Sequence, residues 1–179
     1  MPFSDTSLIA RVVQKDDRRA FGELVVRHQS SVRNFLRRLT NMDVARADDL
    51  AQDTFIKAYR SIKRFRGSAK FTTWLFRIAY HTFLNDQRAR KPTTPFEEEF
   101  KHASVPPPQT SAALVRDLDE ALLTLGVAEQ AVFDLHYKKG MTHEETAEVL
   151  EIPIGTVKTH LSRGKEKLRM HLKDWSDDG

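Results

Sequence analysis

Residues 142–172 constrain the fold more than any other stretch, because they predict two short helices joined by a tight turn. Thr142 followed three residues later by Glu145 is a capping box, in which hydroxyl and carboxylate satisfy free backbone N–H groups where a helix begins. Pro153 ends this first helix and suits the opening turn of the next. Ala147 is small enough to let a second helix cross closely. The pattern predicts a helix-turn-helix.

The second helix of this motif has one apolar and one polar side. Its apolar residues recur at helical spacing and predict a buried stripe. They are Ile154, Val157, Leu161, Leu168 and Leu172. The other side carries short hydroxyl and long cationic side chains, which suit phosphates and base edges in a DNA major groove. These are Thr156, Lys158, Thr159, Ser162, Arg163 and Lys165. The alternative is a solvated basic surface, because runs of charge usually face water.

Composition limits the class of protein. The chain has 179 residues, 40% of them apolar and 30% charged, which is ordinary for a globular protein with one medium or two small domains. It has no cysteine, which excludes disulfides and thiolate metal sites and fits a reducing compartment. No stretch is apolar for long enough to cross a bilayer, and the polar start lacks a signal-peptide core. We therefore expect a cytoplasmic protein.

The net charge of +4 is unevenly distributed. Residues 1–91 hold 19 Lys or Arg against 9 Asp or Glu, whereas residues 113–179 hold 9 against 13. A domain as positive as the first half is expected to bind a polyanion, because the release of condensed counterions favours such binding. The charge pattern predicts a nucleic-acid contact in the first half as well.

Residues 47–65 predict a helix that is acidic near its start and basic near its end. Its buried side is predicted to contain Leu50, Phe55, Ile56, Tyr59 and Ile62. The early polar residues are Asp48, Asp49, Gln52 and Asp53, and the late cations are Arg60, Lys63 and Arg64. This order favours the helix dipole, which is a sufficient structural reason for it. A surface for a protein partner is the other explanation.

A further helix is predicted from Phe71 to about Arg90, with a mixed outer side. The inner side is predicted to contain Phe71, Trp74, Leu75, Ile78 and Ala79. The outer side is predicted to contain Thr73, Arg77, Tyr80, His81, Asn85 and Arg88. Rings among cations and hydrogen-bonding groups suit single-stranded nucleic acid, because bases stack on the rings while the cations hold the backbone. Packing in the core is the alternative to base contact for Phe65, Phe71, Trp74, Tyr80 and His81.

Residues 92–112 predict a linker, since they are rich in proline and lack an apolar period. They separate a domain of residues 1–91 from one of residues 113–179. Two helical stripes in the second domain are predicted to brace the helix-turn-helix. The first contains Leu114, Leu118, Ala121, Leu122 and Leu125, and the second Ala131, Val132, Leu135 and Tyr137. No alternating strand pattern occurs, so we expect an all-α fold whose second domain has four helices.

Three segments in this order resemble the extracytoplasmic-function (ECF) sigma factors of bacterial RNA polymerase, and the resemblance covers about Leu8 to Leu172. DDLAQDTFIKAYRSIKRFRG is similar to the family's polymerase-binding segment. FTTWLFRIAYHTFLND is similar to its promoter-melting segment, and EIPIGTVKTHLSRGKEKL to its minus thirty-five reading helix. The motif GTVK alone would be weak evidence for this family, because LuxR-type regulators share it.

The resemblance implies a role for each matching residue. Docking on the clamp helices of the largest polymerase subunit is implied for Asp49, Leu50, Gln52, Asp53 and Phe55. Contact with the melted minus ten element is implied for Phe65, Arg66, Gly67, Ser68, Ala69, Lys70, Phe71, Arg77, Tyr80, His81 and Arg88. Contact with the minus thirty-five element is implied for the six polar residues of the second helix given above. The linker would run toward the RNA exit path.

The implied partners are core RNA polymerase, at its clamp helices and flap region, promoter DNA in duplex and melted form, and an anti-sigma factor. No cofactor, metal, small-molecule substrate or catalytic residue is implied. Three places depart from the family pattern. His81 stands where many relatives have Asn, Gly126-Val127 replaces a common Pro-Pro, and Glu151 occupies a turn position often held by Gly. A non-Gly residue in left-handed geometry there costs about 1 kcal/mol.

Two other functions fit parts of the sequence. A stand-alone helix-turn-helix regulator would share the second domain, but it predicts a ligand or phosphoacceptor domain in front, which the basic helical first half does not resemble. A metal-dependent nuclease would need a set of ligands, and the seven histidines are scattered without a ligand spacing.

Overall fold

The computed structural model describes residues 3–90 and 121–172, which contain helices and turns but no strand. The first domain comprises α1 (Asp5–Lys15), α2 (Arg18–Leu39), α3 (Val44–Ser61), a 3₁₀ turn (Ile62–Arg64) and α4 (Phe71–Arg90). In the second, residues 121–123 are helical and are followed by α5 (Val127–Phe133), a π-helical turn (Asp134–Lys138), α6 (His143–Leu150) and α7 (Ile154–Leu172). The prediction of an all-α fold is confirmed.

Short polar side chains fix where the helices of the first domain begin. Ser4 caps α1, Asp17 accepts from two N–H groups of α2, and Asp43 caps α3 through the Arg46 N–H at 3.0 Å. Each such cap satisfies donors that have no partner within the helix. The helices then bury a common core, whose fully buried members include Leu8, Leu24, Phe35, Leu75 and Phe83.

The helix-turn-helix forms where the sequence predicts it. The Thr142 N–H donates to the Glu145 carboxylate at 2.9 Å, and the Glu145 N–H donates to the Thr142 hydroxyl at 3.1 Å, so the capping box is complete. The first helix ends at Leu150, and Glu151 has left-handed backbone geometry with φ of 54°. The buried side of α7 contains Val157, Leu161 and Leu168.

Five predicted side-chain positions are wrong. Tyr80 is only 8% exposed and Thr73 is buried, because α4 packs against α2, α3 and α6 and little of its circumference faces water. Tyr137 is 50% exposed, because it lies in the π-helical turn, where side chains no longer follow the 3.6-residue period. Ile56 is 41% exposed because it lies at the edge of the apolar side of α3. Ile154 is 39% exposed because it is the first residue of α7.

Several predictions fall outside the described residues: the linker, the domain boundaries at residues 91 and 113, and the stripe positions Leu114 and Leu118. The side chain of Leu172 is also outside them.

The two domains pack against each other, which the sequence did not predict. Helix α6 lies on α4, and α5 lies against α2. Arg38 of α2 pairs with Asp134 of the π-helical turn, with 2.9 Å between Nε and Oδ1. Burial raises the pKa of Asp134, and the nearby Lys139 and Arg38 only partly oppose this effect.

Candidate nucleic-acid and protein interfaces

A groove of about 800 Å³ runs between α2 and α3. Phe21 and Tyr59 form part of its floor, with ring centroids 4.9 Å apart in an edge-to-face arrangement. Asp49, Gln52 and Arg60 supply polar groups at exposed positions around it. An apolar floor with a polar rim is the form of surface that binds an amphipathic helix.

The predicted polymerase-binding residues divide into two groups here. Asp49, Gln52 and Phe55 line the groove, whereas Leu50 is buried in the domain core. Asp53 is exposed but does not line the groove. The helical period predicts Tyr59 in the core, since a half-buried ring and a core ring give the same period.

At one end of the groove, Asp48 of α3 forms ion pairs with two arginines of α2. Its Oδ1 lies 3.0 Å from Arg33 Nε and 3.5 Å from Arg37 Nη2. The acid near the start of α3 therefore has a structural partner as well as a favourable position on the helix dipole.

A second cavity, of about 330 Å³, lies along α4. Trp74, Arg77, His81 and Asn85 line it from α4 at helical spacing. Lys57 reaches it from α3, and its Nζ donates to the Thr82 hydroxyl at 3.1 Å. The helical spacing correctly predicts that Arg77, His81 and Asn85 share one side of α4. It does not predict that Lys57 lines the same cavity, because Lys57 belongs to a different helix.

The loop before α4 presents most of its predicted contact residues to solvent. Arg66, Gly67, Ser68 and Lys70 are exposed and Ala69 is half-buried. Gly67 has φ of 71°, in the left-handed region that favours glycine.

Aromatic rings at the ends of this loop pack on one another. Phe65 lies 5.9 Å from Phe71 and 5.3 Å from Trp74, measured between ring centroids. Phe71 is buried, whereas Phe65 and Trp74 are half-buried. The core alternative therefore holds for Phe71. Burial also raises the pKa of the Tyr80 hydroxyl, which sits inside the domain and does not face the cavity.

Helix α7 presents its predicted contact residues on the side away from the core. Lys158, Thr159, Ser162, Arg163 and Lys165 are exposed, and Thr156 is half-buried. The Thr159 hydroxyl donates to the Gly155 carbonyl at 2.9 Å, which leaves its lone pairs free to accept. The Lys165 ammonium lies 5.5 Å from the centre of the Tyr137 ring.

Neighbouring contacts hold α7 in place. Lys167 donates to the Glu129 carboxylate at 2.8 Å, and the Gly126 N–H donates to the same oxygen at 3.2 Å. Burial raises the pKa of Glu129, but the hydrogen bonds from Lys167 and Gly126 and the nearby positive charge together lower it more, so this pKa lies below its usual value.

In the part of the chain that the structure describes, no three His, Asp or Glu side chains are placed to hold a metal ion. His136 and His143 stack with ring centroids 4.7 Å apart, and His136 Nδ1 lies 2.8 Å from the Met141 carbonyl oxygen. Across the same described residues, none of the helices is both long enough and apolar enough to cross a membrane.

Two family models match the chain: Sigma-70 region 2 over residues 24–93 and Sigma-70 region 4 over residues 116–168. The RNA polymerase sigma-H factor of Pseudomonas aeruginosa is 34% identical over 94% of both chains. The ECF RNA polymerase sigma-E factor of Haemophilus influenzae is 34% identical, over 95% of this chain and 96% of the relative.

Solved structures agree with this match. CnrH in complex with the cytosolic domain of CnrY superposes with a TM-score of 0.70 at 26% identity, over 95% of this chain and 97% of the other. The sigma factor RpoE bound to the anti-sigma factor NepR, from Bartonella quintana, superposes with a TM-score of 0.71 at 25% identity, over 86% and 96% of the two chains. Curated relatives matched over nearly their whole length establish the family. The chain belongs to the extracytoplasmic-function sigma factors, which direct RNA polymerase to promoters.

Proposed function

We propose that three surfaces of this sigma factor divide the work of initiation. The groove between α2 and α3 binds the clamp helices of the largest polymerase subunit. The loop of residues 65–71 and the exposed side of α4 hold the melted minus ten strand. The exposed side of α7 reads the minus thirty-five element in duplex DNA, while the second domain also contacts the flap region of the polymerase.

The geometry of α7 is the observation that carries the proposal. Val157, Leu161 and Leu168 anchor one side of the helix in the core, so the opposite side, with Lys158 and Arg163, projects from the protein. A helix supported in this way can enter a major groove without rearranging its own domain. The short hydroxyl side chains on this side favour readout through DNA shape or bridging water beside the direct cation contacts.

The cavity on α4 supports a strand-binding role for the first domain. Arg77 and Lys57 offer cations to phosphates, and Trp74 and His81 offer ring faces to bases. Extruding a base costs a few kcal/mol, and stacking on aromatic side chains returns ~1–3 kcal/mol per base. Such a surface can trap an opened strand. Tyr80, being buried, supports the packing of α4 and does not stack on DNA in this conformation.

Attachment of both DNA-binding domains to one polymerase gives the protein its promoter specificity. Each domain need bind DNA only weakly, because attachment to the polymerase raises the effective concentration of the second reader once the first is bound. We propose that the protein acts through binding energy alone, without catalysis, and that it works in the cytoplasm with the polymerase. We also propose an anti-sigma partner, since both structural neighbours were solved with a protein bound and one of those proteins is named an anti-sigma factor.

Transcription from a random promoter library tests the proposal. Core polymerase would be supplied with this chain as its sole specificity factor, and the transcripts would be sequenced. We expect enriched promoters to share two elements at a fixed spacing, and the double variant Lys158→Ala/Arg163→Ala to lose preference only at the upstream element. Gln14→Ala, at an exposed position of α1, is the control. No enrichment, or an unchanged upstream preference in the double variant, would contradict the proposal.

A further inference from the structure

The start of α1 is anchored to α2 through the carboxylate of Asp5. Asp5 Oδ1 accepts a hydrogen bond from Arg27 Nη1 at 3.0 Å, and Asp5 Oδ2 lies 2.7 Å from Nε2 of His28. Arg27 also pairs with Glu23, one turn earlier on α2. The side chain of His28 is only 15% exposed. One carboxylate of α1 therefore fixes two consecutive side chains of α2.

The ring of His28 connects this anchor to the start of α4. It lies edge-to-face against Phe71, with 5.4 Å between the ring centroids and 62° between the ring planes. Phe71 is buried, begins α4 and ends the loop of residues 65–71. It also lies 5.9 Å from Phe65, which begins the loop, and 5.7 Å from Trp74, measured between ring centroids. His28 therefore supports the ring at which both ends of the loop meet.

The shape of the loop depends on how its ends are held. Arg66, Gly67, Ser68 and Lys70 are exposed, so little of the middle of the loop is buried. A binding surface reads its target accurately only when packing and hydrogen bonds from neighbouring residues lock its side chains. The rings at the two ends of the loop are therefore the place where its geometry can be fixed.

A histidine can do at this position what an aliphatic residue cannot. A leucine would fill a similar volume, but it has no polar atom through which α1 could fix its orientation. The imidazole offers a ring edge to Phe71 and a ring nitrogen to Asp5 at the same time. The contact with Asp5 sets the rotation of the ring, and the ring in turn sets the position of Phe71.

We propose that His28, oriented by Asp5, is a positioning residue for minus ten recognition, because it holds Phe71 and with it the loop of residues 65–71. This inference rests on the proposed role of that loop in binding the melted strand. His28 acts through Phe71 and does not touch DNA, since its side chain lies between α1 and the start of α4. Helix α1, which belongs to none of the three proposed surfaces, thereby takes part in promoter recognition.

Base discrimination in transcription tests the inference. Core polymerase is supplied with the full chain, and transcription from a promoter enriched in the random library is divided by transcription from its single-base variants. This gives one ratio for the minus ten element and one for the minus thirty-five element. His28→Gln keeps a donor for Asp5 but removes the ring from Phe71. We expect its minus ten ratio to fall roughly twofold to tenfold, the range that corresponds to one aromatic pair.

Two further readouts separate positioning from a general loss of structure. The minus thirty-five ratio and the affinity for core polymerase should be unchanged in His28→Gln, because His28 lies outside α7 and does not line the groove between α2 and α3. An unchanged minus ten ratio, or an equal loss at both elements, would overturn the inference.

Val12→Ala is the matched control for stability. Val12 is buried and lies two turns after Asp5 on α1, so its truncation opens a cavity in the same domain and leaves the Asp5 and His28 pair in place. We expect Val12→Ala to be at least as sensitive to urea as His28→Gln and yet to keep the minus ten ratio of the wild type. The same loss of this ratio in Val12→Ala would overturn the specific role of His28.

Asp5→Ala tests whether Asp5 acts through His28. We expect this variant to lower the minus ten ratio, because the imidazole loses the contact that orients it. The double variant Asp5→Ala/His28→Gln should lower the ratio no further than His28→Gln alone, since residues that act as one unit do not have additive effects. Losses that multiply in the double variant would show separate roles and overturn the link between the two residues.

The fluorescence of Trp74 gives a readout that needs no DNA. With Trp175→Phe as the background, Trp74 is the remaining tryptophan of the chain, and it lies against Phe71. We expect His28→Gln, but not Val12→Ala, to increase the quenching of Trp74 by acrylamide, because a less constrained Phe71 leaves the indole more accessible. Equal quenching with and without the His28 ring would overturn the inference.

Failure of this inference differs from failure of the proposed function. Arg66 is exposed in the same loop, so Arg66→Ala tests the loop directly. If Arg66→Ala lowers transcription through the minus ten element while His28→Gln keeps the wild-type ratio, the loop binds the strand without His28 and only the inference fails. If neither variant changes transcription through this element, the proposed function of the loop fails and the positioning role fails with it.

Discussion

The Phe133 ring lies directly against Gly164 on α7. A Cβ built at Gly164 would lie 2.3 Å from Phe133 Cε2, well inside contact distance. Phe133 is itself buried, so its ring has little space to withdraw. The close approach of α5 and α7, and with it the orientation of the recognition helix, depends on the absence of a side chain at this position.

We expect Gly164→Ala to destabilise the protein by about 1–3 kcal/mol, the usual cost of overpacking a core. The higher helix propensity of alanine, about 1 kcal/mol, reduces this cost but does not reverse it. Urea unfolding monitored by circular dichroism measures the change. Gly155→Ala on the same helix is the control, because nothing lies within 4 Å of a Cβ there, and it should be neutral or stabilising. Equal effects at the two glycines would contradict the packing argument.

The Glu129 pair gives the second domain an acid-sensitive stability. Burial alone would raise the pKa of Glu129, but the hydrogen bonds from Lys167 and Gly126 and the nearby positive charge together make it lower in the folded protein than in the unfolded chain. The folded state therefore binds fewer protons, and this stabilisation is present above the unfolded pKa and lost as pH falls through the folded one.

We expect Glu129→Gln to lower the free energy of unfolding at neutral pH by about 1 kcal/mol and to flatten its decline in acid. Unfolding curves between neutral and acidic pH test this. An acid decline as steep in the variant as in the wild type would assign the effect to other carboxylates.

His81 is proposed to touch a base of the minus ten element. We expect His81→Asn to change the tolerated bases at one minus ten position, because an amide presents a different donor and acceptor pattern from imidazole. Transcription from single-base promoter variants measures this profile. An identical profile at every position would remove His81 from the site.

Lys57 lines the α4 cavity although it belongs to the same helix as the polymerase groove. We expect Lys57→Ala to weaken single-strand binding and to reduce the slope of log K against log salt by about 0.7, the loss of one phosphate contact to a single strand. A salt titration of binding to a labelled single-stranded DNA, with wild-type and Lys57→Ala protein, measures the slope. Lys15→Ala on α1 should leave it unchanged, and an unchanged slope in Lys57→Ala would exclude a phosphate contact.

The sequence predicted what depends on local chemistry. The capping box of Thr142 and Glu145, the helix end at Leu150 and the buried Val157 all follow from short-range patterns, and all are confirmed. The prediction that Tyr80 faces solvent is wrong. The helical period identifies one apolar side of α4 but does not show how many other helices pack around it. Tyr137 was placed wrongly because the π-helical turn interrupts that period.

Relationships across the chain were not predictable. Lys57 reaches Thr82 from another helix, and Glu151 meets Arg77 from another domain. Nothing in the local spacing of either residue specifies its partner, since such contacts depend on how whole helices and domains pack.

Binding to core polymerase tests the central claim most directly, because the division of work among the three surfaces begins with the groove between α2 and α3. Asp49→Arg reverses a charge at the exposed rim, and Gln52→Ala removes a rim hydrogen-bonding group without affecting the floor. Affinity for core polymerase should be measured for both, with Gln14→Ala as the control and circular dichroism to verify folding. We predict nanomolar to micromolar binding by the wild type and control, and at least roughly tenfold weaker binding by Asp49→Arg, as expected for a mismatched charge at an interface. Folded Asp49→Arg that binds core polymerase as tightly as the wild type would contradict the account.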